Sequence, residues 1–439
     1  MTKLFSTLLS FLVVLAFSFS GKTQHKHPPE TINFDDYFIN KTLRIDYTIA
    51  GNSETRFVSL EQLVEEGAWS GPRKNISNSL KYGLMQYKLY DSISNKLIYS
   101  KGFNNLFVEW ETSDEAKKIN RSFYEVATCP FPKKTVKFIL QRRNKQDGTF
   151  EDLMSIYVNP NDYFIKRNTT LKFPFKKIID VGNSAEKIDI VYLAEGYTKE
   201  QMGKFQQDVK RMNDYLFERA PFKSQKSAFN IWAIECASQE QGTDIPGAHV
   251  WGNTILNSSF YTFNSARYLT TFDQKSIRDI ASNVPYDHIV ILVNHDKYGG
   301  GGFFNYYLMT TVDHIKSKEV FVHEFGHSFA GLADEYFSSS VAVNDFYPAS
   351  VEPWEPNITN MVNFDSKWKH MIAKEIPIPT PLTNKYKEAL GAFEGAGYSA
   401  KGLWRPMDHC IMRSLHVKQV FCPVCQEGIK TVISSYMDQ

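Results

Sequence analysis

Hydrophobic positions follow one pattern in the first part of the chain and another in the rest. From about Thr31 to Pro160 they fall in short runs, among them Leu43-Arg44-Ile45-Asp46-Tyr47-Thr48-Ile49, Lys96-Leu97-Ile98-Tyr99 and Val136-Lys137-Phe138-Ile139-Leu140, with turn residues such as Gly51-Asn52-Ser53 and Asp147-Gly148 between them. Short strands punctuated in this way predict a β-sandwich. One segment, Ser59 to Glu66, interrupts the series as a predicted helix. No catalytic cluster falls in this region, which points to a supporting or binding role.

After about Lys176 strands and helices alternate. Lys187-Ile188-Asp189-Ile190-Val191-Tyr192-Leu193 reads as a buried strand, and Thr198 to Glu218 as a long helix capped by Thr198. Phe229-Asn230-Ile231-Trp232-Ala233-Ile234 reads as the next strand, Lys275 to Ser282 as a helix, and Ile289-Val290-Ile291-Leu292-Val293 as a third, wholly apolar strand. The fold class expected is therefore α+β to α/β, an N-terminal β-sandwich followed by an α/β domain with a mixed sheet, the boundary lying between about residues 160 and 180. With 439 residues the chain exceeds the usual size of one core, and 33 Phe and 23 Tyr supply enough large apolar side chains for two.

The longest apolar run, Leu4 to Phe17, follows Lys3 and precedes the small residues of Ser18-Phe19-Ser20-Gly21. It is shorter than the roughly 20 residues that span a bilayer and reads as a cleaved export signal over residues 1–20. No Cys lies close by to accept a lipid, the first being Cys129. The mature chain, with an accessory domain over 21–170 and a catalytic domain over 171–439, is expected to have no membrane span and to be secreted, periplasmic or held at the cell surface. Fifty Lys and Arg against 48 Asp and Glu leave a charge of +2, too little to make nucleic acid a partner.

The chemistry concentrates in His323-Glu324-Phe325-Gly326-His327. Ser317 can cap a helix running into this segment, which puts the two imidazoles one turn apart on one face, within reach of a single zinc ion. Glu324, beside them, is placed to take a proton from the water that zinc activates. Two histidines leave a catalytic zinc one protein ligand short. Gly331 can end the helix and turn the chain back, offering either Asp334 or Glu335 to the metal.

The stretch His323 to Tyr336 resembles the active-site region of the IgA-peptidase-type metallopeptidases, a family allied by motif to the metzincins. The metzincin pattern H-E-x-x-H-x-x-G-x-x-H, or Asp in the last place, would fall on Ala330 and Ala333; one inserted residue restores the match as Gly331 and Asp334. His409-Cys410-Ile411-Met412-Arg413-Ser414 resembles the metzincin Met-turn, with Met412 beneath the imidazoles. Ser414 stands where some metzincins carry an assisting Tyr, and Tyr336 is the available substitute. The resemblance implies a metzincin-like zincin domain with one catalytic zinc held by His323, His327 and Asp334. Glu324 becomes general base and then acid, and the substrate a protein or peptide, immunoglobulin or another extracellular protein. Asn294 to Gly302 and then Phe303 to Val312 are expected to form a glycine-bearing loop and an edge strand able to pair with extended substrate.

Five Cys cannot all pair within the chain; a disulfide from Cys410 to Cys422 or Cys425 would tie the Met-turn to the last helix. A structural zinc knuckle would need another ligand pair that the sequence does not clearly offer. Arg405 and Arg413 read as surface charges, and His409 flanks the Met-turn. Two rival readings are a secreted binding module with an inactive zinc domain, which an intact Glu324 argues against, and a zinc hydrolase acting on a different amide.

Overall fold

The first alternating run becomes β1 (Phe38–Gly51), entered from a single helical turn, α1 (Phe34–Tyr37). In the computed structural model, which describes residues 32–77, 80–167, 171–337, 346–416 and 420–437, the N-terminal region continues with β2 (Arg56–Glu66), β3 (Met85–Asp91), β4 (Leu97–Phe103), α2 (Leu106–Trp110), β5 (Arg121–Pro132), β6 (Val136–Arg143) and β7 (Phe150–Val158). The export signal expected over residues 1–20 lies outside the described residues. Two antiparallel sheets form, β2-β1-β5 and β4-β3-β6-β7, as a sandwich requires. The Tyr87 hydroxyl on β3 donates to the Thr128 carbonyl on β5, 2.5 Å away, and links them.

Ser59 to Glu66, expected as a helix, belongs to β2. Asp46 pairs with Gln62 and Tyr47 with Leu60, so Glu61 is an extra residue, a β-bulge. The bulge breaks the two-residue alternation and leaves Leu60, Leu63 and Val64 at helix-like spacing.

The C-terminal region comprises β8 (Phe175–Ile179), β9 (Ile188–Glu195), α3 (Met202–Phe217), β10 (Phe229–Ile234), α4 (Gln274–Ala281), β11 (His288–Val293), β12 (Gly300–Phe303), β13 (Tyr307–Thr311), α5 (Ser317–Ala330), β14 (Phe393–Ala396), β15 (Ser399–Arg405) and α6 (Pro423–Met437). Its mixed sheet has the order β12-β13-β11-β9-β10-β8, parallel from β13 to β10 and antiparallel at both edges. β9 and β11 are buried along their whole length, as largely apolar strands of a covered parallel sheet must be. Thr198 and Gln201 exchange hydrogen bonds in a capping box that starts the turn leading into α3.

Phe303 to Val312 is not the edge strand. Its regular part, Tyr307–Thr311, is β13, which lies inside the sheet, and the edge is the glycine segment β12, which ends at Phe303 and is itself bridged at Gly300 by Tyr268.

The two regions pack together within one compact unit, Ile32–Gln439. Asn305 Nδ2 donates to the Gly102 carbonyl (2.8 Å), Ser70 Oγ to that of Tyr286 (2.6 Å), and the Asn104 amide to that of Phe304 (2.8 Å). Arg44 of β1, 1% exposed, forms a fork with Asp46 (2.6 and 2.7 Å), reaches Glu66 (3.3 Å) and crosses to Asp279 on α4 (2.6 Å). Arg44→Ala would strand buried carboxylates, so it is expected to destabilise the fold by about 3–5 kcal/mol. A denaturant titration checks this; a loss below about 1 kcal/mol, the worth of a surface pair, would show the network to be solvated.

Candidate active site

α5 carries the histidine motif and is buried on nearly every side. Its own Phe325 and Phe329, 5.3 Å apart, pack against Phe222 at 5.3 and 5.9 Å, and Phe222 in turn meets Phe421 at 6.1 Å, so aromatic contacts fix the position of the helix. Ser317 is the first helical residue, not the cap, and its hydroxyl makes no hydrogen bond among the described residues. At the other end Gly331 stands at φ +61°, its N–H returning to the His327 carbonyl (3.0 Å). A Cβ there would meet Trp354 at 2.5 Å, so both conformation and space demand glycine. The chain reverses and brings Asp334 back to the helix.

His323 Nε2 and His327 Nε2 lie 3.1 Å apart, and Asp334 Oδ1 lies 3.1 and 3.3 Å from them. Donors at about 2.0–2.1 Å from a tetrahedral zinc are about 3.3–3.4 Å from one another, so the triangle has the size of three corners around one ion. The other ring nitrogens agree. His323 Nδ1 faces the Ile411 carbonyl at 2.9 Å and His327 Nδ1 the Leu332 carbonyl at 2.5 Å, so each Nδ1 carries the proton and each Nε2 presents a lone pair. Asp334 Oδ1 has no hydrogen-bond partner among the described residues, as an oxygen reserved for a cation would have none.

Burial opposes the charge on Asp334, yet His327 and His323 outweigh it and hold the carboxyl well below its usual range. Burial likewise opposes a charged His327, but Asp334 and then Glu324 lift it to about 9. The pocket is thus built to attract positive charge, and a metal there must displace a proton.

The second Asp334 oxygen accepts from the Tyr398 hydroxyl at 2.5 Å, in the connection between β14 and β15. Tyr398→Phe is expected to weaken metal binding about 10- to 100-fold, the usual effect of losing a ligand's orienting partner. Titration against a competing chelator measures it; unchanged affinity would remove Tyr398 from the site.

Glu324 sits half-buried beside the triangle, its carboxyl pushed up mainly by burial and also by Asp334, against the opposing pull of His323 and His327. β12 lies directly on its backbone: a Cβ at Gly302 would come 2.3 Å from the Glu324 carbonyl oxygen. Gly302, and Gly300, where a Cβ would meet Val320 at 2.9 Å, therefore admit the helix.

A cleft of about 520 Å³ opens over the site, lined by Glu324, Gly301, Arg267, Tyr336 and Ser414, and by Val108 and Glu109 of the N-terminal region. Glu109 is pushed up to about 7 by burial, against a 2.6 Å hydrogen bond from Tyr268. Sequence reasoning missed Tyr398, Arg267, Tyr268 and Glu109. None shares a spacing with the motif, and no local signal marked them.

Glu335, the other carboxylate considered, turns away from the histidines toward Asn357 (2.9 Å) and the sulfur of Cys425 (3.1 Å). Met412 is fully buried with its sulfur against Gly326, and its carbonyl accepts from the Glu335 amide at 2.9 Å. His409 pairs with Glu388 at 3.4 Å, apart from the cleft lining. Arg413 lines the cleft, paired with Asp408 at 2.5 Å. Arg405, expected as a surface charge, is 0% exposed and bonded to the carbonyls of Glu394 and Gly395 and to Asp408. The expected disulfide is not formed: Cys410 Sγ and Cys425 Sγ are 3.7 Å apart, far beyond a bond of about 2.05 Å.

A buried two-histidine, one-carboxylate cluster with a glutamate beside it, at the floor of a cleft, is the layout of a metal-dependent hydrolase. The family model for IgA Peptidase M64 matches residues 177–388 and 382–433, and that for Peptidase M64 N-terminus matches 33–154. The chain belongs to the IgA peptidase M64 family and is a metallopeptidase, an enzyme that hydrolyses peptide bonds. No curated protein matches it.

Proposed function

We propose that this chain is an exported zinc endopeptidase with a metzincin-like catalytic domain, cleaving extracellular proteins, immunoglobulin among them. The observation that carries this reading is the convergence of His323 Nε2, His327 Nε2 and Asp334 Oδ1 within 3.3 Å of one another, with Glu324 alongside. His323, His327 and Asp334 would hold the ion. Bound there, zinc supplies Lewis acidity to the scissile carbonyl and acidifies water.

The remaining chemistry belongs to the chain. Glu324 takes the proton of the attacking water and passes it to the departing amine nitrogen. The carbonyls of Ile411 and Leu332 keep each imidazole in the tautomer that binds through Nε2, and Tyr398 orients the Asp334 carboxylate. Met412 packs under the helix between the two histidines, the place of a Met-turn residue. The one-residue offset of Gly331 and Asp334 from the strict metzincin pattern follows from Gly331 turning the chain where Ala330 still continues the helix.

Export is supported by the apolar run Leu4 to Phe17. We further propose a functional division into signal (1–20), accessory region (21–170) and catalytic region (171–439), the accessory region supplying one wall of the cleft through Glu109.

Cleavage of a diverse peptide library and of folded proteins including immunoglobulin A, by the purified mature chain, tests the proposal. Activity abolished by a chelator and restored by zinc supports it; activity indifferent to chelation would end it.

A further inference from the structure

A second group of metal-binding side chains begins at the residue next to Asp334. Glu335, Cys410, Cys422 and Cys425 come from three separate segments, yet their carboxylate and Sγ atoms all lie within 4.8 Å of one another in a fully buried spot. We propose that these four residues bind a second, structural zinc ion, distinct from the catalytic one.

The distances suit such an ion. Cys410 Sγ is 3.7 Å from Cys425 Sγ, and Glu335 Oε1 is 3.1 Å from Cys425 Sγ and 4.0 Å from Cys422 Sγ. With Zn–S of about 2.3 Å and Zn–O of about 2.0–2.2 Å, tetrahedral geometry sets sulfurs about 3.8 Å apart and sulfur and oxygen about 3.6 Å apart. Three soft thiolates select zinc over hard cations, and four protein ligands close the site to water.

The surroundings suit thiolates. The Cys422 amide donates to Cys410 Sγ and the Cys425 amide to Cys422 Sγ, each at 3.5 Å, and both stabilise negative sulfur. Cys422-Pro423-Val424-Cys425 opens α6 as a C-x-x-C knuckle, with Pro423 at the first helical position. The ligand pair that local spacing did not offer comes from Cys410 and Glu335.

Glu335 is the second, independent indication. Its side chain is 0% exposed, and Oε2 has no hydrogen-bond partner among the described residues. A carboxylate buried against three sulfurs carries a large desolvation cost that a divalent cation removes. A disulfide would join two sulfurs, leave the third free and do nothing for Glu335.

The proposed ion also bears on the catalytic cluster. It would clamp the segment after α5, the turn carrying Met412 and the start of α6 to one point. The Glu335 amide bonds the Met412 carbonyl at 2.9 Å, and the preceding carbonyl, that of Ile411, accepts from His323 Nδ1 at 2.9 Å. On binding, the three thiol protons leave to solvent.

The test uses the full mature chain and zinc alone. His323→Ala/His327→Ala empties the catalytic cluster and is expected to retain about one zinc per chain, against about two in the wild type. Replacing that ion with cobalt should produce intense thiolate-to-cobalt charge-transfer absorption, lost in Cys422→Ser. X-ray absorption of the zinc-loaded wild type guards against a misfolded variant: a sulfur shell at about 2.3 Å supports the site. A shell of nitrogen and oxygen alone, or a folded double-histidine variant without metal, would overturn it. These readouts are independent of turnover, so failure of the peptidase assignment would leave them intact.

Discussion

Glu324→Gln is expected to keep the metal and to lower kcat by about 100- to 10,000-fold, the range over which a positioned general base contributes. Glutamine has nearly the same shape, so the close packing of β12 against the helix backbone at Gly302 is preserved. What changes is the capacity to accept a proton. Because Glu324 is not one of the three converging donors, metal content should match the wild type, and KM should move far less than kcat. Metal analysis and steady-state kinetics on one preparation decide the matter. Residual turnover above about a tenth of wild type would transfer the role of base elsewhere.

The second large effect separates two adjacent carboxylates. Asp334→Ala removes a corner of the triangle and leaves His323 and His327 as the only donors, so affinity at the catalytic cluster should fall by more than about 100-fold, beyond the loss of an orienting partner. Activity should go with it. Glu335→Gln should leave an ion bound at the histidines, because its carboxylate faces Asn357 and Cys425. Zinc titrations monitored at each cluster compare the two variants. Full activity in Asp334→Ala, or loss of the histidine-bound ion in Glu335→Gln alone, would reverse the assignment.

Much of this layout was readable in the sequence because it is local. An i, i+4 pair of histidines shares a helix face in any folded context, and Gly331 at the helix end leaves few ways for the chain to go but back. The strands β9, β10 and β11 announced themselves as largely apolar runs of the right length. Where a local rule was broken, the reading failed. The bulge at Glu61 disguised a strand as a helix, and the glycines of β12 gave an edge strand the appearance of a loop.

The sequence by itself determined the motif, the two-histidine geometry, the alternation of strand and helix after about Lys176, and the family these features imply. Tertiary structure alone decided which of Asp334 and Glu335 meets the histidines, since neighbours on an irregular segment can point either way until both sides are packed. It also brought Tyr398, Arg267 and Glu109 to the cleft and gathered Cys410, Cys422 and Cys425 around Glu335. Residues within one helical turn are placed by backbone geometry. Residues tens or hundreds of positions apart are placed by what they bury together, and burial is a property of the whole fold.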